Sequence, residues 1–192
     1  MTQYNILVFF HVASVIVWLG TGTAVTLITV YARRTRDVGI LGRLGSIGAW
    51  LAPRVFAPAS LATLGFGIAA AHSGGWPMLF WFHVGEAAFA TSFLLNVGVR
   101  LPLVRRARSG KSNPLRVANM LFGLAIAELT VLYLAVADMV VKPNGDDTTA
   151  LATGGVILTL GLLAGVALAV RSGGRAGALA TFPTEGEKRR AA

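Results

Sequence analysis

The sequence predicts an all-α fold: a polytopic membrane bundle of five transmembrane helices, with its N-terminus outside and its C-terminus cytoplasmic. Three observations predict it. Of 192 residues, 55% are hydrophobic and 13% charged, and the mean hydropathy is +0.68. Soluble domains average about 25% charged residues. From Ile6 to Ala32 there is no Asp, Glu, Lys or Arg, and about 20 apolar residues suffice to cross a bilayer core. The basic residues, finally, fall in three blocks that alternate with the apolar runs.

The first span covers about 4–32. Its leader, "MTQYN", has no basic stretch, and the run is too long for a signal-peptide core, so it reads as a retained helix. The second covers about 51–72, with Pro53 and Pro58 in its first turns and Trp50 as an interfacial anchor. Between these two, "RDVGILGRLGSIGAW" (36–50) sets Ile40, Leu41, Leu44 and Ile47 opposite Arg36 and Arg43. That pattern suits a helix lying on the membrane surface, although its glycines weaken it by about 1 kcal/mol each. "HSGGWP" (72–77) is a break, with Pro77 opening the third span, which runs to about Leu101 before Pro102. "SNP" (112–114) supplies Asn113 as a cap and Pro114 as the first helical residue of the fourth span, about 115–141. "KPNGDDTT" (142–149) is a turn, and the fifth span covers about 150–170. Residues 1–171 thus form the bundle, and 172–192, rich in Gly, Ala and charge, a flexible cytoplasmic tail.

The net charge is +9. Segment 33–54 holds Arg33, Arg34, Arg36, Arg43 and Arg54; segment 100–116 holds Arg100, Arg105, Arg106, Arg108, Lys111 and Arg116; the stretch from 171 onward holds Arg171, Arg175, Lys188, Arg189 and Arg190. With five spans these 16 of 17 basic residues fall on one side, which the positive-inside rule places in the cytoplasm. The excess charge is therefore topological. It suits a multi-pass protein of the plasma membrane whose partner is the lipid bilayer, and no nucleic acid is expected. The chain has no cysteine, which excludes disulfides, thiolate metal sites and iron–sulfur clusters. "GLLAG" (161–165) is a GxxxG pair, so Gly161 and Gly165 are the expected contacts of a homo- or hetero-oligomer.

Ionisable groups within a span are costly and mark candidate sites. They are His11, His83, Glu86, Glu128 and Asp138, joined by Asn96 and Asn119. Arg100 and Arg116 lie near span ends and are expected to snorkel; Asp138 and Lys142 are expected to pair at a helix end. His11 and His83 both lie about 10 Å below the outer surface on a rise of about 1.5 Å per residue. Two imidazoles at one depth can ligate a haem iron from both sides, or each can simply hydrogen-bond a neighbouring helix. Gly20, Gly22, Gly65, Gly67 and Gly85 would leave room for such a group. Without cysteine, any haem would be haem b. Trp18, two turns from His11 on the same face, is a pocket wall or core. Glu86 follows His83 by one turn, and Glu128 is near a midplane. His83, Glu86 and Glu128 are either a proton path or an inter-helix polar clamp.

"HVASVIVWLGTG" (11–22), "WFH" (81–83) and "MVVKP" (139–143) resemble a bacterial family of predicted integral membrane proteins, a domain of unknown function, over residues 1 to about 145. More distantly, the H-x6-W of the first span, with Tyr31 thirteen after Trp18, and the W-x-H of the third are similar to the haem-associated membrane protoporphyrinogen oxidase family. They are also similar in style to CopD-type membrane domains. That resemblance implies haem b on His11 and His83, with Trp18 and Trp81 beside it. Gly85 and Leu27 stand where the oxidase pattern has basic residues. Three functions follow as expectations: a haem b electron carrier, a non-catalytic accessory subunit of a membrane complex, or a small proton-coupled transporter using Glu86 and Glu128.

Overall fold

The computed structural model describes residues 2–76, 79–109, 114–143 and 145–170. Among these every regular element is helical. In chain order they are α1 (Gln3–Thr35), α2 (Val38–Leu51), α3 (Ala57–Gly74), α4 (Phe80–Leu94), α5 (Leu101–Arg108), α6 (Pro114–Val141) and α7 (Thr148–Val170). Two π-helical segments, Ala52–Phe56 and Leu95–Arg100, fuse α2 to α3 and α4 to α5. Five of the resulting helices are long and apolar enough to cross a membrane: Gln3–Thr35, Gly39–Gly74, Phe80–Arg106, Arg116–Val141 and Thr148–Val170. The five expected spans are all present. The expected Asn113 cap, the Pro77 start and the tail lie outside the described residues.

Local chemistry sets the ends. Thr2 caps α1 by accepting the Asn5 amide at 3.4 Å. Asp37 caps α2 through its carboxylate, which accepts the Ile40 amide at 2.9 Å, and Asp147 accepts the Ala150 amide at 3.0 Å at the start of α7. Gly75, with φ 73°, closes α3 in the left-handed region that glycine tolerates.

Two boundaries differ from expectation. The surface-helix candidate at 36–50 is helical, but it runs on into α3, so that Gly39–Gly74 reads as one helix of 36 residues. The third span does not stop at Leu101; it passes Pro102 and reaches Arg108. The two cases share a cause. Each π segment ends two residues before a proline: Phe56 before Pro58, and Arg100 before Pro102. Proline brings no N–H and crowds the carbonyl four residues back. Widening the turn relieves that clash. The Ala57 amide reaches back to the Ala52 carbonyl and the Leu101 amide to the Asn96 carbonyl, five residues in each case. The helix continues where a strict α-turn would break.

The helices alternate in direction. Tyr4 of α1 meets Trp76 after α3, and Arg33, at the other end of α1, donates to the Ala118 carbonyl near the start of α6. The core lies where α1, α3, α4 and α6 converge: Trp18, Leu19, Ala59 and Leu132, with Val15, Phe56, Phe89 and Val136 against them. α7 packs against α6. There Gly161 faces Thr130, and Gly165 faces the Gly123 carbonyl and Ala127. The GxxxG pair expected at a homo- or hetero-oligomer contact packs here within the chain, between α7 and α6.

Candidate functional site: a carboxylate held by three donors

The most buried ionisable side chain among the described residues is Glu128, 7% exposed, midway along α6. Three residues of the facing helix converge on it. Ser92 Oγ donates to Glu128 Oε1 at 2.6 Å. Asn96 Nδ2 donates to the same oxygen at 2.6 Å and to the Ser92 carbonyl at 2.9 Å. Arg100 Nη2 donates to Oε2 at 2.7 Å, a distance typical of a charge-assisted bond. Ser92, Asn96 and Arg100 are spaced i, i+4, i+8, which puts them along one helical face. An α-helix drifts about 40° with every fourth residue. The wider π turn over Leu95–Arg100 counters that drift and keeps Arg100 over Glu128.

All three neighbours donate to Glu128, and the Arg100 guanidinium sets a positive charge beside the acid. Arg100 therefore does not snorkel to the helix end as expected; it folds back to Glu128. Its side chain is 32% exposed, while that of the acid is 9% exposed. Sequence reading named Glu128 and noted Asn96, but missed Ser92 and gave Arg100 another role. The S-x3-N-x3-R spacing opposite a single deep carboxylate was the available signal.

The other predicted residues do not join this site. His11 Nδ1 donates to the Thr63 carbonyl of α3 at 2.8 Å; a carbonyl can only accept, so the proton sits on Nδ1. Gly67 makes that bond reachable. It lies one turn beyond Thr63, and a Cβ there would lie 2.9 Å from the His11 ring. His83 Nδ1 pairs with Glu86 Oε2 at 3.0 Å, on its own helix and with the His83 side chain 57% exposed. Trp18 is core, edge-on to Phe89 at 5.9 Å. Trp81 is elsewhere, against Trp76 at 5.5 Å. Lys142 turns its ammonium to those two indoles rather than to Asp138, whose Oδ2 is buried without a hydrogen-bond partner.

These placements bear on the haem expectation. On α4, Phe89 meets Trp18 of α1, and Gly85 and Ser92 face Met139 and Glu128 of α6. At about 100° per residue, His83 lies about 120° from Phe89 and about 160° from Gly85 around the helix. It points away from both seams, while His11 is packed into a third, against α3. Each ring has one nitrogen engaged by an acceptor, the second-shell pattern of a metal-bound histidine, but the two rings do not share a cleft. As placed, they do not fit an iron held between them. The glycines expected to make room for a cofactor divide in the same way. Gly22, Gly67 and Gly85 take the side chains of Leu129 and Phe56, His11 and Met139, whereas a Cβ on Gly20 or Gly65 would have no neighbour within 4 Å. Among the described residues no group of three or more His, Asp or Glu side chains is gathered together.

No family model, no curated protein and no solved structure matches this chain.

Proposed function

We propose that this chain is a multi-pass plasma-membrane protein with a non-catalytic, structural role in a larger membrane complex, and that the Arg100–Glu128 pair is the lock that holds α4 to α6. The N-terminus is outside and the C-terminus cytoplasmic in this reading. What supports the orientation is that 16 of the 17 basic residues fall in the three stretches 33–54, 100–116 and 171–190, which five crossings put on one side.

One observation carries the proposal. Both oxygens of the deepest carboxylate are taken by donors from one neighbouring helix. All three neighbours donate to it here, and neither the Asn96 amide nor the Arg100 guanidinium can take over its proton. Its charge is spent on a fixed helix contact. Polar groups in a membrane interior serve this purpose because the lipid offers them no alternative partner.

A second reading has one observation in its favour. Arg100 ends a π-helical segment, and such segments often mark working sites. Protonation of Glu128 would release Arg100, as a proton-coupled carrier requires. The two readings separate in proteoliposomes under an imposed pH gradient. The structural reading expects proton leak no greater than in protein-free vesicles, and a stoichiometric partner on mild solubilisation. A protein-dependent proton flux abolished by Glu128→Gln overturns it in favour of the carrier.

A further inference from the structure

At the opposite end of the bundle from Arg33, two indole rings flank a cation. Trp76, after α3, and Trp81, in the first turn of α4, have ring centroids 5.5 Å apart at an interplanar angle of 63°. They form two walls of a corner. Tyr4 of α1 stands edge-on to Trp76 at 5.2 Å and 85°. The Lys142 ammonium fills the corner, 5.1 Å from the Trp76 ring and 5.4 Å from the Trp81 ring. Both distances are within the range of about 6 Å over which an indole face attracts a cation. The parts come from α1, from α4 and from the segments that follow α3 and α6.

The lysine is held there in a costly conformation. Lys142 has φ 51°, in the left-handed region that non-glycine residues seldom occupy. It also precedes Pro143, a position that favours extended backbone. An ammonium is compact and strongly hydrated, so it loses water to sit between two indoles. A quaternary ammonium spreads its charge over methyl groups and is the cation that aromatic cages characteristically accept. Lys142 is exposed, and Trp76 and Trp81 are half-buried, so the corner opens to the surface.

We infer that Trp76, braced by Tyr4, and Trp81 form a cation cage for a quaternary ammonium group, and that Lys142 is its built-in competitor. The group is either a soluble organic cation or the choline headgroup of a lipid. The chemistry of the cage is the same for both. The lysine serves as a stopper: it satisfies the indole faces when the ligand is absent and lowers the apparent affinity when it is present.

The test uses the full chain in detergent micelles that carry no choline headgroup, with tetramethylammonium as probe. Binding is followed by broadening of its N-methyl proton resonance, against sodium chloride at equal ionic strength. Saturable broadening is expected. Lys142→Ala should tighten it by about fivefold, the loss of one competing cation–π contact. Trp81→Ala should abolish it, and Trp81→Phe, which keeps a ring and guards against misfolding, should weaken it. Moving the Lys142→Ala protein into phosphatidylcholine nanodiscs should block the probe if the headgroup is the ligand, and leave it unchanged if the ligand is soluble; both results support the cage. Absence of saturable binding in both the natural chain and Lys142→Ala overturns it. So does binding of equal strength in Lys142→Ala and Trp81→Ala.

Discussion

Removing one partner of the Arg100–Glu128 pair should destabilise the bundle unequally, depending on which partner goes. Glu128 is 7% exposed, and Arg100 keeps a third of its side chain exposed. Arg100→Leu leaves a carboxylate that cannot escape, with Ser92 and Asn96 alone to hold it. Loss of one partner from a buried pair costs about 3–5 kcal/mol, and the remaining two donors place this case near the lower end. A loss of about 3 kcal/mol shifts the folding equilibrium by roughly 150-fold. Glu128→Gln is milder. The amide oxygen still accepts from Ser92 and Asn96, and Arg100 can swing outward, so the loss is about 1–2 kcal/mol. Replacing both by leucine should restore most of the stability, because two charges and their desolvation vanish together. The assay is equilibrium unfolding in mixed micelles with increasing dodecyl sulfate, followed by far-ultraviolet circular dichroism. The cycle of single and double leucine variants should yield a coupling of about 2 kcal/mol. A coupling below about 0.5 kcal/mol, or an Arg100→Leu variant no weaker than Glu128→Gln, refutes the lock.

Two further outcomes follow from close helix contacts and one from the imidazoles. A Cβ at Gly123 would run into the Gly165 carbonyl, and one at Gly165 would lie 2.7 Å from the Gly123 carbonyl. Gly123→Val should therefore lower the thermal midpoint and expose α7 to proteolysis before the rest of the chain; equal cleavage rates would contradict this packing. Gly67→Ala should be destabilising in the natural chain but nearly neutral in a His11→Ala background, because the clash is with the His11 ring; an equal loss in both backgrounds would show that the ring is not there. Protein purified from haem-replete cells should show no stoichiometric Soret band. A band that disappears in His11→Ala and in His83→Ala would reverse the conclusion drawn from the placement of those rings.

The helices were legible in the sequence because their signals are long and redundant. The charge-free run of the first span, the arginine blocks and Pro114 each point to a boundary on their own. What sequence did not reveal was which face of a helix meets which neighbour. His11 and His83 sit on parallel helices that start at the same end of the bundle, but position along an axis is one coordinate and rotation about it another. Rotation depends on how Trp18, Phe89 and Leu132 pack, and apolar side chains on every face of a span leave that undetermined. Pro102 misled for a different reason. It breaks a helix in isolation, but a widened turn bypasses it, and that turn carries Arg100 back over Glu128. The same proline that suggested an end thus helps to build the site.

Three cationic contacts of different kinds tie the helices at three levels. Near one end Lys142 lies against Trp76 and Trp81. Midway Arg100 bonds Glu128. Near the other end Arg33 stacks on Phe122 at 4.4 Å and donates to the Ala118 carbonyl. Together they join α1, α4 and α6, with the segment between α3 and α4 drawn in. α7 takes part in none of them. It is held to α6 by small-residue contact at Gly161 and Gly165, and it turns Val156, Leu160 and Leu163 outward. Dispersion between closely packed backbones weakens steeply with separation, so this contact yields to a single added methyl group more readily than the charged contacts do. The five helices thus behave as four and one: a bundle pinned at three depths, and a final helix whose hold depends on keeping three glycines, 123, 161 and 165, as glycines.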